Sequence, residues 1–288
     1  MNITERSVQE IGKSLLITLP KDWTKALKVK KGAKLKLLVS ERGVLSIVPE
    51  LVQSPEMKEI TIPYDEHFNR RFFKEYFEGY ERIVVLFAAI KDRAPLYSFF
   101  KRFMNIQIIE ENERRMVVKC FRIEELSMEE CLHRMHYLSL SMLERNADQT
   151  RMKEARDTMT RFYYMLVMQV RRFLSEGKFT DTNQIPLIKA MDIRMVAEKI
   201  QRIAEAAETL QDGVPDDVAQ YYRHSFSCFV NNDFAKALPL WSQGNAIQRK
   251  LDRRAQEFLR SKNVTGYAAI GDLQHITRYA KEISMLVR

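Results

Sequence analysis

The residues able to do chemistry in this 288-residue chain are mostly cations. Arg6, Lys13, Lys21 and Lys25 cluster around the stretch IGKSLLITLPKDW, residues 11–23. Arg161, Arg202 and Arg278 stand far downstream, inside segments with helical apolar spacing. Such groups meet anions, lysine as a point charge and arginine as a planar fork that grips oxyanions through two bonds. Two motifs carry metal-ligand types, Glu130-x-x-His133 and Asp272-x-x-His275. Paired Glu-x-x-His motifs on facing helices build di-iron sites. The second copy holds Asp instead, and no inward Glu is evident on the other helices, so surface or core roles are the plainer assignment. HExxH, GxSxG, Walker and GxGxxG motifs are missing, and no Cys–His or Ser–His pair stands out. The sequence therefore predicts a protein that is not an enzyme and that uses no cofactor or metal.

The net charge of +9 is unevenly spread: residues 1–50 hold ten Lys/Arg against five Asp/Glu, and residues 51–126 hold thirteen of each. Residues 127–288 hold 24 against 20. Positive charge is densest in the N-terminal fifth, where it can meet phosphates. Lys28, Lys30, Lys31, Lys34 and Lys36 read as a solvated face. Cys120, Cys131 and Cys228 are widely spaced, which argues against a disulfide framework or zinc site and suits a reducing compartment. The start MNITERSVQE lacks the apolar core of a signal peptide, and the longest apolar run, IVVLFAAI, is too short to cross a bilayer. A cytoplasmic protein without membrane insertion is expected.

Three regions must position these residues, giving a multidomain α+β chain. Residues 1–50 read as a strand (SLLITL, between Gly12 and Pro20), a short helix (KDWTKALK), a Gly32 turn, and strands AKLKLLVS and VLSIVP joined by an ERG turn. That is too little chain to bury a core alone, so oligomerisation is expected. Residues 51–57 read as a linker. Residues 58–125 alternate strand and helix at α/β length. Residues 127–288 read as six helices, near 127–147, 150–176, 186–211, 215–231, 233–261 and 264–287. These divide into two sets of three, 127–211 and 215–288. Aligning AEKIQRIAEAAE (197–208) with LQHITRYAKEIS (273–284) pairs Ile200 with Ile276, Arg202 with Arg278 and Ala204 with Ala280.

Residues 6–49 resemble the SpoVT/AbrB family of swapped-hairpin DNA-binding domains. The likeness rests on Arg6, IGKSLLITLPKDW and LKVKKGAKLKLLVSERGVLSIVP. It implies that two copies exchange hairpins to close one small barrel, with DNA across the dimer. By position it makes Arg6, Lys13 and Lys25 DNA contacts, and charge adds Lys21. Strand alternation places Leu15, Ile17 and Leu19 on one face and Leu16 and Thr18 on the other, with Trp23 packing at an end of the barrel. Thr24 stands where many relatives carry a second Arg, and Lys13 where Arg is common. A lysine has no fork for bidentate base reading, so contacts weighted to backbone phosphates and DNA shape are expected.

Residues 127–288 resemble the PhoU family of two three-helix repeats, through MDIRMVAEKIQRIAEAAETL, DFAKALPLW and GDLQHITRYAKEISMLV. In that family, acids spaced one turn apart on the third helix of each repeat can hold metal clusters. The matching positions are Glu198 and Arg202 in one repeat, and Gln274 and Arg278 in the other. An arginine repels a metal ion, so no cluster is expected; Thr160 likewise stands near an expected acid. Arg202 and Arg278, supported by Arg161, suggest an anion such as phosphate or a nucleotide. The plainer assignment pairs Arg202 with Glu198 or Glu205, and Arg278 with Glu282.

Head, middle and tail in this order resemble archaeal regulators of phosphate uptake. The expectation is a homodimeric transcription regulator whose helical half senses a signal or docks a partner. The alternative is a PhoU-like adaptor that controls a phosphate transporter or sensor kinase by protein contact, without DNA. The α/β middle carries no motif that assigns it a role.

Overall fold

Gly12, at φ +67°, takes the left-handed backbone that side chains resist. There β1 (Gln9–Ile11) folds back on β2 (Ser14–Leu16), with Ile11 opposite Ser14, so Gly12 and Lys13 form the two-residue loop. Only Gly12 of the pair has positive φ, as in a type II′ hairpin turn. α1 (Lys21–Ala26) follows Pro20, and β3 (Leu35–Val39) pairs antiparallel with β4 (Leu45–Pro49). The strand expected over 14–19 stops at Leu16, where its partner β1 runs out. Gly12 lies inside a hairpin rather than at its edge, and β1 was not foreseen.

This computed structural model describes residues 5–39, 45–49, 57–87, 92–123, 126–143, 149–176, 186–210 and 213–288. The expected ERG turn lies outside those residues, as does all of the expected linker except Met57. The chain divides into two compact units, the first within Met1–Glu56 and the second holding the other described residues. In one chain the β1–β2 and β3–β4 ladders are separate sheets, and no closed barrel forms among the described residues.

The second unit begins with β5 (Glu59–Pro63), α2 (Phe68–Phe77) and β6 (Arg82–Leu86). α3 (Ala94–Phe100), β7 (Ile106–Glu111) and β8 (Arg115–Cys120) complete a four-stranded sheet in the order β5-β6-β8-β7. β5 and β6 run parallel, as a helical crossover between them requires, while β8 is antiparallel to both β6 and β7. The sheet's apolar face meets Phe68, Phe72, Phe99, Phe100 and Phe103, whose rings pack edge-on or tilted. Buried Tyr76 donates to Asn105 Oδ1 at 2.7 Å, and the Asn105 amide donates to the Phe121 carbonyl at 2.9 Å.

The helical segment forms α4 (Met128–Leu143), α5 (Gln149–Glu176), α6 (Leu187–Glu208), α7 (Asp216–Asn231), α8 (Phe234–Arg260) and α9 (Val264–Ser284). Local chemistry sets their starts. Ser127 and Glu130 form a reciprocal capping box at 2.7 and 3.1 Å before α4. Asp233 caps α8 by accepting from the Lys236 amide, and Asn263 caps α9 by accepting from that of Gly266. α4, α5 and α6 pack on one another, as do α7, α8 and α9, and α6–α9 and α4–α7 contacts join the two sets. Ile200 and Ile276, and Ala204 and Ala280, are buried at matching places in α6 and α9. Tyr164 of α5 stacks on Phe103 at 5.4 Å, and Arg171 donates to the Phe77 carbonyl at 2.9 Å. The middle and helical regions therefore form one unit with two apolar cores.

Candidate functional site

The N-terminal unit turns its cations outward. Arg6, Lys13, Lys21 and Lys25 are exposed, and none has a carboxylate partner among the described residues. Lys13 sits in the β1–β2 turn, while Lys21 and Lys25 lie one turn apart on α1. Thr24 is occupied inside α1, donating to the Lys21 carbonyl at 3.0 Å. Trp23 is half-buried.

The apolar residues of this unit are exposed as well. Val8, Ile11, Leu15, Leu16, Ile17, Leu37, Val39 and Leu45 all face solvent in the single chain, Leu15 at 74%. No side chain described in residues 5–49 is buried. The expected alternation would bury one face of the first strand, yet Leu15 and Leu16, on opposite faces, are both exposed. One copy supplies too little second surface to cover either face.

In the helical segment the three arginines take separate roles. Arg202 pairs with Glu205 at 3.0 Å, the ion pair expected of an ordinary helix face. Glu198 pairs with Arg194 at 3.3 Å. Glu282, the expected partner of Arg278, accepts from Lys199 at 2.5 Å instead. Arg278 lies over the Tyr279 ring at 5.2 Å and has no carboxylate partner among the described residues. It lines a cleft of about 350 Å³ with Gln248, Gln274, His275 and Lys281, and neither Arg161 nor Arg202 is among the lining residues. Arg161 is partly exposed, with Nε buried and lacking a hydrogen-bond partner among the described residues. Thr160 donates to the Arg156 carbonyl at 3.0 Å. Lys281 has no carboxylate partner among the described residues either, and charge counting along the sequence does not single it out.

The metal-type motifs separate on folding. Glu130 is used in the capping box, and Asp272 accepts from Thr209 Oγ1 at 2.6 Å. His133 meets Phe226 edge-on at 5.6 Å. The described residues hold no group of His, Cys, Asp and Glu able to bind a metal ion. The three cysteines are free and buried, and desolvation pushes the Cys120 and Cys131 thiols up to about 12. Thiols so far from ionisation make poor nucleophiles.

One titratable group went unremarked in the sequence. His136 stacks on Phe226 at 3.7 Å and lies 5.0 Å from Tyr222, on the α4–α7 seam. Its Nε2 is buried without a hydrogen-bond partner among the described residues. Desolvation, then the nearby His133 and Arg223 charges, hold its pKa at about 3. Beside it Ser139 Oγ and Tyr222 Oη share a hydrogen bond of 2.7 Å.

Comparison with protein-family models, curated proteins and solved structures gave no match. No helix among the described residues is long and apolar enough to cross a membrane.

Proposed function

We propose that this chain is a homodimeric DNA-binding transcription regulator of the kind its SpoVT/AbrB-like and PhoU-like segments resemble. By that resemblance the process it regulates is phosphate uptake. The observation that carries the reading is the N-terminal unit, which exposes its apolar strands and its cations together. Apolar strands with no buried face call for a second copy, and burying them stabilises the pair by about 25 cal/mol per Å² removed from water. Two copies would bring two sets of Arg6, Lys13, Lys21 and Lys25 onto one assembly. Phosphate contacts by such groups release counterions, so affinity falls steeply with salt. The helical half would then act as the sensor or partner-docking half.

The test is fluorescence anisotropy of the full chain on its own upstream DNA, across a salt series. Binding that weakens steeply with salt, and at least tenfold in Arg6→Ala/Lys13→Ala/Lys25→Ala, is expected. No DNA binding near physiological salt, with the dimer intact, would sink this reading. It would favour the adaptor, a partner of phosphate-transport or signalling proteins. The exposed Phe234, Leu238 and Trp241 on α8, at helical spacing, support that second reading as a protein contact surface.

A further inference from the structure

Between α8 and α9 the helical bundle holds two cations, Arg278 and Lys281, that form no ion pair with a carboxylate among the described residues. Arg278 and Lys281 stand one turn apart on α9, with His275 one turn before Arg278. All three line the same cleft, of about 350 Å³, with the amides of Gln248 and Gln274 beside them. Glu282 is taken by Lys199 at 2.5 Å, and Asp252, beside the cleft, accepts from the Gln274 amide at 2.7 Å rather than pairing with Arg278 or Lys281.

The Lys281 side chain is held in place rather than free in solvent. Its ammonium donates to Asn245 Oδ1 at 2.7 Å and lies 3.4 Å from the centre of the Trp241 ring. Its stem passes beside Gly244, where a Cβ would stand 3.5 Å from Lys281 Cδ and 2.3 Å from Tyr221 Oη. A glycine at this point lets α8 approach Tyr221 and the Lys281 stem closely. Gln248 is fixed too, donating to the Gln274 carbonyl at 2.8 Å. A fixed ammonium, a guanidinium without a carboxylate partner among the described residues and preset amides form a recognition surface whose ordering cost is already met.

We propose that this cleft binds a phosphate-bearing anion. The Arg278 fork suits two oxygens of a phosphoryl group, and Lys281 supplies the second positive charge that a dianion needs. Gln248 and Gln274 can orient the remaining oxygens, and the half-exposed Trp241 borders the site through Lys281. Orthophosphate and a nucleotide offer the same phosphoryl chemistry. The binding site stands independently of the DNA-binding reading; only its role as the effector site rests on that reading.

The test is calorimetry on the full chain with inorganic phosphate and, separately, ATP, alongside Trp241 fluorescence in a Trp23→Phe background. Saturable binding is expected with one or both probes, with a change in Trp241 emission and at least a tenfold loss of affinity in Arg278→Gln/Lys281→Gln. Binding of orthophosphate alone identifies the free anion, and binding of ATP alone a nucleotide. Arg278→Gln by itself, at an exposed position, keeps the test informative if the double variant does not fold. Absence of binding by both probes, or equal affinity in parent and variants, overturns the proposal. Repeating the DNA titration with the bound probe separates the two readings. A Trp241 response without DNA binding keeps the cleft and removes the regulator.

Discussion

His136 carries a sign that can be worked out from its surroundings. Its pKa is about 3 in the fold against an ordinary 6.5, because burial first, and then the nearby His133 and Arg223, disfavour the imidazolium. The unfolded chain therefore takes up the proton first. The stability held by neutral His136 is fully present above pH 6.5 and is lost progressively as pH falls toward about 3. Urea unfolding of the full chain at stepped pH should show this loss, at roughly 2–4 kcal/mol once partial exposure is allowed for. A His136→Phe variant should flatten the slope in that window. An unchanged slope would place the acid sensitivity in other groups. The sequence shows this position only as part of a helix, because nothing in the local pattern reveals its stacking on Phe226.

At the scale of elements, two glycines do different work. Gly12 has open space where a Cβ would stand, so only its φ of +67° penalises a side chain. Gly12→Ala should cost on the order of 1 kcal/mol. Gly244 is the reverse case, a glycine inside a helix whose absent Cβ would stand 2.3 Å from Tyr221 Oη. Ala gains about 1 kcal/mol of helix propensity over Gly. Tyr221 is fully buried and bonded to the Leu240 carbonyl at 3.0 Å, so it cannot swing aside. Overpacking of about 1–3 kcal/mol should win, and Gly244→Ala should unfold at lower urea than the parent. An unaltered midpoint would show that α8 has room to shift. The helix limits themselves were largely legible, since α5, α7 and α8 begin and end within a residue of the periodic pattern, while α6 and α9 stop three residues short of it. Long amphipathic runs with Ser127, Asp233 and Asn263 at their starts leave little choice. β1 was missed because three residues of mixed polarity carry no periodic signal.

For the whole molecule, the exposed apolar strands make the decisive prediction. Leu15→Glu places a charge where the proposed partner copy would cover the strand, and burying an unpaired charge is costly. Light scattering should show the parent as a dimer and Leu15→Glu shifted toward monomer. DNA affinity should fall at least tenfold with it, since each copy would hold half of the cations. A variant that stays dimeric would move the interface to another surface. The α/β middle, for which the sequence offered no role, proves structurally joined to the helices. Tyr164 stacks on Phe103 and Arg171 reaches the Phe77 carbonyl, which ties α5 to that aromatic core.

The sequence by itself determined most of the elements and their order, β1 excepted: an N-terminal strand-and-helix segment rich in cations, an α/β stretch, and six helices in two sets. Those features follow from periodicity, capping residues and charge counts, all of which act over a few neighbouring positions. Tertiary structure decided which charged groups are already neutralised and which meet. Arg202 and Arg278 align in sequence and look alike, yet Glu205 holds the first while the second faces a cleft. Lys281 comes to Trp241 and Asn245 only because α9 packs back along α8. Glu282, which spacing alone would give to Arg278, goes to Lys199 on α6. Ion pairs and clefts of this kind depend on distances between residues remote in the chain, and helix packing sets those distances.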